Sequence, residues 1–342
     1  MSDAMQTKIA GMGWVTPLGA GLDDVWQRIA NGERAAVSEV SSPHAPRKHA
    51  AMLVPPKLVE AMGRNPRLRR SSAISLFTAA AGLAALENAG IVMTPEIAAR
   101  TAIVFAIASG GVIYTRKFYG QIVTQGANTA SPLLFPETVY NAPASHLAAL
   151  LGVTGASYTL VGDASVGIAA LRFGGQLLET TDIDRVVVVG GEEVDWVLCE
   201  AYRAWRLTRT PLAEGAAALV LARGGAVTLR AVHDGVPFFN RAGAARAAEK
   251  VHVDLAQHGP VELVVSCANG TFVDRAEAAS LAKHFPGVPV AHPKKSLGES
   301  IGAGALMQTV YAALALRNSN AHRALVSVIG FNQQASGAIL SG

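Results

Sequence analysis

The stretch that decides the fold is TLVGDASVGIAALRFGGQLL, which runs from Thr159 to Leu178. Its first residues belong to a predicted strand, ASYTLVGDA, that passes directly into a helix beginning after Ser165. The backbone N–H groups of a helix's first turn point outward and favour negative charge. Ser165 therefore stands where the fold itself favours an anion.

The same pattern of predicted strands extends on both sides of this stretch. KIAGMGWVTPLG (8–19) and TAIVFAIASGG (101–111) predict strands that run into turns or glycines. Four consecutive valines in DRVVVVGGEE (184–193) predict a strand that is covered on both faces. EGAAALVLARG (214–224) and AVTLRAVHDG (226–235) are predicted to form two strands that pair with each other.

Helices are predicted between these strands. SSAISLFTAAAGLAALENAGI (71–91) predicts a helix capped by Ser71 or Ser72 and stopped by Gly90. DRAEAASLAKHF (274–285) and IGAGALMQTVYAALALRN (301–318) predict two more. Alternating strands and helices predict an α/β protein with a mixed sheet and helices on both faces.

Composition limits the class of protein further. Half of the 342 residues are hydrophobic and only 16% are charged, which predicts a large core and a buried interface, and so a soluble oligomer. No apolar run reaches the roughly 18 residues of a membrane span, and the first residues lack a signal-peptide pattern. Two cysteines, Cys199 and Cys267, suit a reducing compartment, so we expect a cytoplasmic protein. No His or Cys spacing indicates a zinc site, and neither a metal nor a cofactor is expected.

The net charge of +4 is mild, but the basic residues form two short clusters. They are RNPRLRR (64–70) and RAWRLTR (203–209). These clusters are either solvated faces near helix ends or a docking surface for an acidic carrier protein. No aromatic or Gly-Arg pattern accompanies the charge, so a nucleic-acid partner is not expected.

Several segments resemble the β-ketoacyl-acyl carrier protein synthase family, which has the thiolase fold. GMGWVTPLGAGLDDVWQRIANG (11–32) is similar to that family's opening signature, and SPLLFPETVYNAPASHLAALLGV (131–153) to the segment before its dimer-interface strand. VVVVGGEE, EGAAALVLA, IGAGAL and IGFNQQAS resemble four further family motifs. The resemblance implies two pseudo-repeated halves, residues 1–225 and 226–342, with central mixed sheets in a layered α-β-α-β-α arrangement and the nucleophile-position helix in the first half.

The resemblance also implies where the reactive groups lie. Family members use a cysteine at a helix N-terminus, two histidines that hydrogen-bond the thioester oxygen, a lysine, and an oxyanion hole of two backbone N–H groups. Ser165 matches the cysteine, and Asn269 and Glu299 match the first and second histidines. Lys294 matches the lysine, with Lys295 as the fallback. Phe331 matches the turn residue whose N–H completes the oxyanion hole together with the N–H of Ser165. Two segments, 191–214 and 223–261, are shorter than in the family, where the first carries loops beside the acyl pocket.

These replacements change the expected chemistry. A helix N-terminus contributes at most about 2 kcal/mol, which brings a thiol near neutral pH but leaves the hydroxyl of Ser165 protonated. An ionised Glu299 would repel the carboxylate of malonyl and the enolate that follows decarboxylation. We therefore expect that the chain alone does not condense acyl units.

Two functions remain open at this point. One is a non-condensing subunit, similar to a chain length factor, in polyketide, aryl polyene or fatty-acid-like biosynthesis. Such a subunit pairs with a cysteine-bearing ketosynthase and works with an acyl carrier protein. A homodimer is the other possible assembly. The second is an acyltransferase or hydrolase in which Ser165 is the nucleophile and Glu299 its base. Structural roles are equally open: Asp163 as a helix cap, Asn269 in a turn, and Glu299 in an ion pair with Lys294 or Lys295.

Overall fold

A computed structural model describes residues 7–43, 46–331 and 334–342. Residues 332–333, in the middle of the motif IGFNQQAS, lie outside the described residues. The strands within the described ranges are β1 (Lys8–Val15), β2 (Ser38–Ser41), β3 (Lys48–Met52), β4 (Thr101–Ile107), β5 (Ser157–Val161), β6 (Arg185–Glu192), β7 (Leu212–Ala213), β8 (Gly215–Ala222), β9 (Val227–Val232), β10 (Val236–Pro237), β11 (Leu263–Val265), β12 (Val290–Ala291), β13 (Arg323–Ile329) and β14 (Gln334–Ser341).

The helices alternate with these strands, and the helix predicted after Ser165 begins at the next residue. They are α1 (Leu22–Ala30), α2 (Glu60–Arg64), α3 (Ala73–Asn88), α4 (Pro95–Ala99), α5 (Val112–Gln125), α6 (Ala142–Leu151), α7 (Val166–Thr180), α8 (Trp196–Trp205), α9 (Arg241–Ala256), α10 (Phe272–His284), α11 (Lys294–Leu297) and α12 (Ile301–Asn318). In the described part of the chain, no helix combines the length and apolar character that crossing a membrane requires.

Two halves of the chain build the main sheet with the same topology. The 11-stranded sheet has the order β12-β11-β13-β14-β9-β1-β8-β6-β4-β5, and β10 adds to β14. On one side β1 is followed by β8, β6, β4 and β5; on the other side β9 is followed by β14, β13, β11 and β12. In both series the first two pairings are antiparallel and the last two are parallel. The predicted α/β class is confirmed, and the sheet contains two series of strands with the same pairing pattern.

The predicted pairing of residues 214–224 with residues 226–235 is wrong. These segments form β8 and β9, which lie on opposite sides of β1. β8 pairs with β1 and β6, whereas β9 pairs with β14 and, over two residues, with β1. The short link between them resembles a hairpin in sequence, but each strand belongs to a different half, and β1 takes the position between them.

Helices form the outer and central layers around the sheet. α3 packs on β1, β8 and β6, and α9 packs on β14 and α10. α7 and α12 pack on each other, and α12 contacts strands of both halves, β6 and β8 as well as β11 and β13. Most residues of α12 are buried, as expected of a helix that is apolar on all sides. The layers are therefore α-β-α-β-α, with α7 and α12 in the centre.

Glycines permit a very close approach between β6 and the start of α12. A Cβ on Gly190 would lie 2.6 Å from the carbonyl oxygen of Gly302, and a Cβ on Gly302 would lie 2.7 Å from the carbonyl oxygen of Gly191. Such distances exclude any larger residue without movement of the backbone. The end of β6 therefore lies directly against the first turn of α12, next to the candidate site.

Candidate active site

The five positions singled out in the sequence lie at one end of the sheet. Ser165 follows β5, Asn269 follows β11 and Phe331 follows β13, while Lys294 and Glu299 lie in and after the short helix α11 that follows β12. The carboxyl ends of parallel strands are the usual location of binding sites in α/β proteins. All five residues are buried, with exposed fractions between 1% and 8%.

Ser165 is bonded to a carboxylate two residues before it. It is the N-cap residue of α7, and its side chain makes no capping hydrogen bond. Instead, its hydroxyl donates to Oδ1 of Asp163 at 2.9 Å, and its backbone N–H donates to the same oxygen at 3.1 Å. Asp163 is itself 4% exposed. One carboxylate oxygen thus accepts both hydrogen bonds that Ser165 offers at the start of the helix.

The other side of this carboxylate faces the turn that contains Phe331. A Cβ placed on Gly330 would lie 1.8 Å from Oδ2 of Asp163, so the carboxylate rests directly on the Gly330 backbone. Phe331, the next residue, contacts Tyr202 edge to face, with ring centroids 5.5 Å apart. Asp163 therefore lies between Ser165 and the turn that resembles the second half of an oxyanion hole.

Glu299 and Lys294 form a buried ion pair. The ammonium of Lys294 lies 2.7 Å from Oε1 of Glu299, and both side chains are almost fully buried. Burial acts to lower the pKa of Lys294, but the charge of Glu299 and the hydrogen bond between them outweigh it, so the pKa is raised. Oε2 of Glu299 has no hydrogen-bond partner among the described residues. The pair keeps the ammonium charged inside the protein.

The side chain of Asn269 stabilises its own loop through hydrogen bonds. Its side-chain Nδ2 donates to the carbonyl oxygen of Leu207 at 3.1 Å, and its Oδ1 accepts from the hydroxyl of Thr271 at 2.6 Å. The carboxylate of Asp274 accepts the backbone N–H groups of Asn269 and Gly270. Gly270 has φ +85°, a left-handed conformation that favours glycine. Both ends of the Asn269 side chain are therefore used in holding the turn.

Tyr202, on α8, was not identified from the sequence and lies in the middle of the site. It is 8% exposed. Burial raises the pKa of its phenol strongly, and the charges of Glu192, Glu299 and Asp163 raise it further. The charges of three carboxyl groups thus act on this phenol and favour its neutral form. The only sequence signal for this residue was its location in the shortened segment 191–214, beside the expected acyl pocket.

Glu192 and Glu193 act as side-chain caps for helices around the site. Glu192 accepts the N–H of Gly302 at 3.0 Å, at the start of α12, and that of Ser109 at 3.3 Å. Glu193 accepts the N–H groups of Ile74 and Ile113, at the starts of α3 and α5. Burial raises the pKa of Glu192 to about 8 and that of Glu193 to about 7, although these backbone donors act to lower both. Such capping satisfies N–H groups that would otherwise lack a partner.

Neither cysteine is an activated nucleophile. Burial raises the pKa of Cys199 to about 11, and burial together with the nearby Glu277 raises that of Cys267 well above its ordinary value. The Cys267 sulfur lies 3.3 Å from Oε1 of Glu277 and accepts the N–H of Ile329 at 3.1 Å. Within the described ranges, no cluster of three or more His, Cys, Asp or Glu side chains is arranged to hold a metal ion.

Comparisons with known proteins agree with this geometry. The family described as beta-ketoacyl synthase, N-terminal domain, matches residues 6–234. A 3-oxoacyl-[acyl-carrier-protein] synthase 2 from Vibrio harveyi is 22% identical over 187 residues, which cover 54% of this chain and 45% of the relative. The match thus spans less than half the length of that relative.

Solved structures match over almost the whole chain. The ishigamide ketosynthase/chain length factor has a TM-score of 0.80 at 18% identity, and 98% of this chain and 99% of that chain are covered. A ketosynthase in complex with its chain length factor from Xenorhabdus doucetiae has a TM-score of 0.75 at 16% identity, with 98% of each chain covered.

The fold is therefore that of the thiolase-like ketosynthases. Because the family match covers more than half of the residues, the chain belongs to the beta-ketoacyl synthase family, of which it is a divergent member. The fold-level part of the resemblance found in the sequence is confirmed.

Proposed function

We propose that this chain is a non-condensing subunit of the chain length factor type, which pairs with a cysteine-bearing ketosynthase and works on acyl chains bound to a carrier protein. The observation that carries the proposal is that the side chains at all three reactive positions are hydrogen-bonded within the protein. Ser165 is bonded to Asp163, Asn269 to Leu207 and Thr271, and Glu299 to Lys294. Each of these side chains makes contacts within the protein that account for its presence without catalysis.

Condensation requires a nucleophile that loses its proton, and the site favours the opposite. The serine hydroxyl is far less acidic than a thiol, and its hydrogen bond to the carboxylate of Asp163 places a negative charge beside it. No histidine occupies either expected base position, and the buried Tyr202 packs against Phe331. The part of the family's machinery that this chain retains is the scaffold, which is the part that a partner subunit needs.

The edge of the sheet supports assembly with a second chain. β5 is the terminal strand, and in the described structure it pairs only with β4. Tyr158 and Val161 on this strand are 42% and 56% exposed. Unpaired strand edges with apolar side chains are normally covered in soluble proteins. A strand from a partner of the same fold would extend the sheet here.

The face beside β5 is also apolar. We define the partner face as β5, α5 and residues 126–141; no residue of α5 is buried. It carries more than half of the large apolar side chains that are exposed in the described structure: Tyr119, Val123, Leu133, Phe135, Val139, Tyr140, Tyr158 and Val161. Aromatic residues are enriched in the cores of protein interfaces. The lining of an acyl tunnel that crosses a dimer would come from such a face.

A basic groove supports the second partner, an acyl carrier protein. A cavity of about 680 Å³ lies beside the Asn269 loop, and its lining includes Arg203, Arg206, Arg209, Arg241 and Arg275. Arg203 pairs with Glu200, and Asp274 in the lining is already bonded to the Asn269 loop. The exposed Trp205 adjoins Arg206 in the chain. Arginines around an exposed aromatic residue suit an acidic protein that carries a phosphate group.

The alternative, a serine acyltransferase, receives less support. It requires Glu299 as the base for Ser165, but the observed hydrogen-bond partner of Glu299 is Lys294. It also requires a free N–H at Ser165 for the oxyanion, and that N–H is bonded to Asp163.

The test is co-expression of the chain with cysteine-bearing ketosynthases encoded in the same genome. We expect a one-to-one complex by size exclusion with light scattering, and extension of an acyl primer from malonyl carrier protein only when both chains are present. Val161→Asp on β5 should abolish the complex, because it places a charge in the buried interface. Val92→Asp, which alters a valine that is 79% exposed and lies outside the partner face, is the matched control and should leave the complex intact.

The proposal fails if the isolated chain forms a stable homodimer that condenses malonyl units at a normal enzymatic rate. An acyl adduct on Ser165 of the isolated chain, absent from Ser165→Ala, would favour the acyltransferase instead.

A further inference from the structure

Asp163 is a carboxylate that contacts the nucleophile position directly. Its Oδ1 accepts both the N–H and the hydroxyl of Ser165, at 3.1 Å and 2.9 Å. Its Oδ2 rests on Gly330, the residue before Phe331. In the family resemblance, the N–H groups of Ser165 and Phe331 are the two donors of the oxyanion hole. A carboxylate of the protein itself therefore lies between the Ser165 N–H and the turn of Gly330 and Phe331.

We propose that Asp163 blocks the oxyanion hole, occupying the position in which an acyl thioester would place its developing negative charge. This inference rests on the proposed function, since it takes the site to be that of a ketosynthase. It goes further, because it states that loss of the cysteine is not the only change that disables the site. Restoring the cysteine at this position would not restore acyl transfer.

Two physical effects act together. The N–H of Ser165 has one hydrogen, and its bond to Asp163 removes it from any substrate oxygen. The carboxylate also adds a like charge a few ångströms from the nucleophile and the oxyanion, in a site where Asp163 is 4% exposed and screening by water is weak. A free oxyanion hole depends on unoccupied donors that point at the developing charge.

The turn at Gly330 leaves the space that the Asp163 carboxylate occupies. Because a Cβ on Gly330 would lie 1.8 Å from Oδ2, only glycine leaves room for Asp163 in this position. The position of Asp163, after β5, thus depends on a glycine at position 330, after β13.

The experiment introduces the cysteine and compares two electrophiles. In Ser165→Cys, iodoacetamide forms a sulfur–carbon bond and releases iodide without any oxyanion. An acyl-N-acetylcysteamine thioester reacts through an oxyanion: the thiolate adds to the carbonyl carbon, the old carbon–sulfur bond breaks, and the released thiolate takes a proton from water. Labelling at this position is read by peptide mass spectrometry, so that Cys199 and Cys267 do not interfere.

We expect Ser165→Cys alone to be alkylated slowly at pH 7 and not to be acylated detectably. Adding Asp163→Ala should raise alkylation about tenfold, because the thiolate fraction rises, and should raise acylation by about 100-fold or more, because the N–H is freed. Asp163→Asn removes the charge but keeps an acceptor for the N–H, so it should raise alkylation similarly and acylation less. Glu179→Gln, which alters an exposed carboxylate near the far end of α7, is the control and should leave both rates unchanged.

The inference is overturned if Ser165→Cys alone is acylated as fast as its double variant with Asp163→Ala. Should that double variant fail to fold, the single variant still decides. The midpoint of its alkylation profile should lie above the value of about 8.5 for a free thiol, and a midpoint at or below that value would contradict the proposal. Complex formation with a ketosynthase is measured separately with the serine in place, so a failure here leaves the partner proposal standing.

Discussion

Glu192 makes the stability of this protein depend on pH in a direction that is opposite to that of most carboxylates. Burial raises its pKa from 4.5 to about 8. Between these two values the unfolded chain has lost the proton and the folded chain still holds it, so unfolding releases a proton and the free energy of unfolding falls as pH rises. The stabilisation is fully present below the unfolded pKa and is lost as pH rises through the folded pKa.

The magnitude follows from one proton. Each pH unit inside this window changes the contribution of Glu192 by about 1.4 kcal/mol, so that about 3 kcal/mol separates pH 5.5 from pH 7.5. Glu193 and Glu214, whose pKa values burial also raises, add contributions of the same sign. The difference between wild type and Glu192→Gln isolates the first of them.

The assay is urea unfolding followed by circular dichroism, with wild type and Glu192→Gln compared at three pH values across this window. The amide loses one acceptor for the N–H groups of Gly302 and Ser109, which adds a constant offset but no slope. Glu200→Gln is the control, because the pKa of Glu200 is lowered by its bond to Arg203 and it titrates below the window. A difference between wild type and Glu192→Gln that stays constant with pH would refute the reasoning.

Three further outcomes follow from the site. Lys294→Met should destabilise the fold by about 3–5 kcal/mol in urea unfolding, because it leaves Glu299 buried without its partner. The double variant with Glu299→Gln should recover much of that loss. If the single and double variants were equally destabilised, the ion-pair account would be contradicted. Tyr202→Ala should cost about 3–5 kcal/mol and open a cavity that binds a small apolar probe, detectable by calorimetry, whereas an unchanged stability would show that the ring does not fill the site. Cys267 in the native protein should resist iodoacetamide at pH 7, as followed by mass spectrometry, since burial and Glu277 keep it a thiol; rapid native-state labelling would be inconsistent with that burial.

The parts of the fold that the sequence could predict are those with strong local periodicity or a motif. The helix after Ser165 begins as predicted, and the helix predicted over residues 301–318 has those bounds in the structure. The strand of four valines is buried on both faces, as its composition indicates. The family resemblance identified which loops carry the candidate site, because those loops follow strand ends whose order the fold dictates.

The parts that could not be predicted depend on contacts distant in the chain. The segments of β8 and β9 are close in sequence, yet β1 separates them in the sheet. Asp163 was predicted only as a cap, since nothing local shows that Gly330, more than 160 residues later, leaves room for its carboxylate. Tyr202 has no motif, and its contact with Phe331 arises only when α8 packs against the turn that contains Phe331.

The unequal ends of the main sheet determine what kind of assembly is available to this chain. β5 offers five residues with exposed apolar side chains, whereas β12 at the opposite end has only two residues. A ribbon of chains would require two edges of comparable length, each able to accept a neighbour. In the proposed complex, pairing through β5 would use the longer of the two edges of the main sheet, so we expect assembly to end at two chains and not to extend into a fibre.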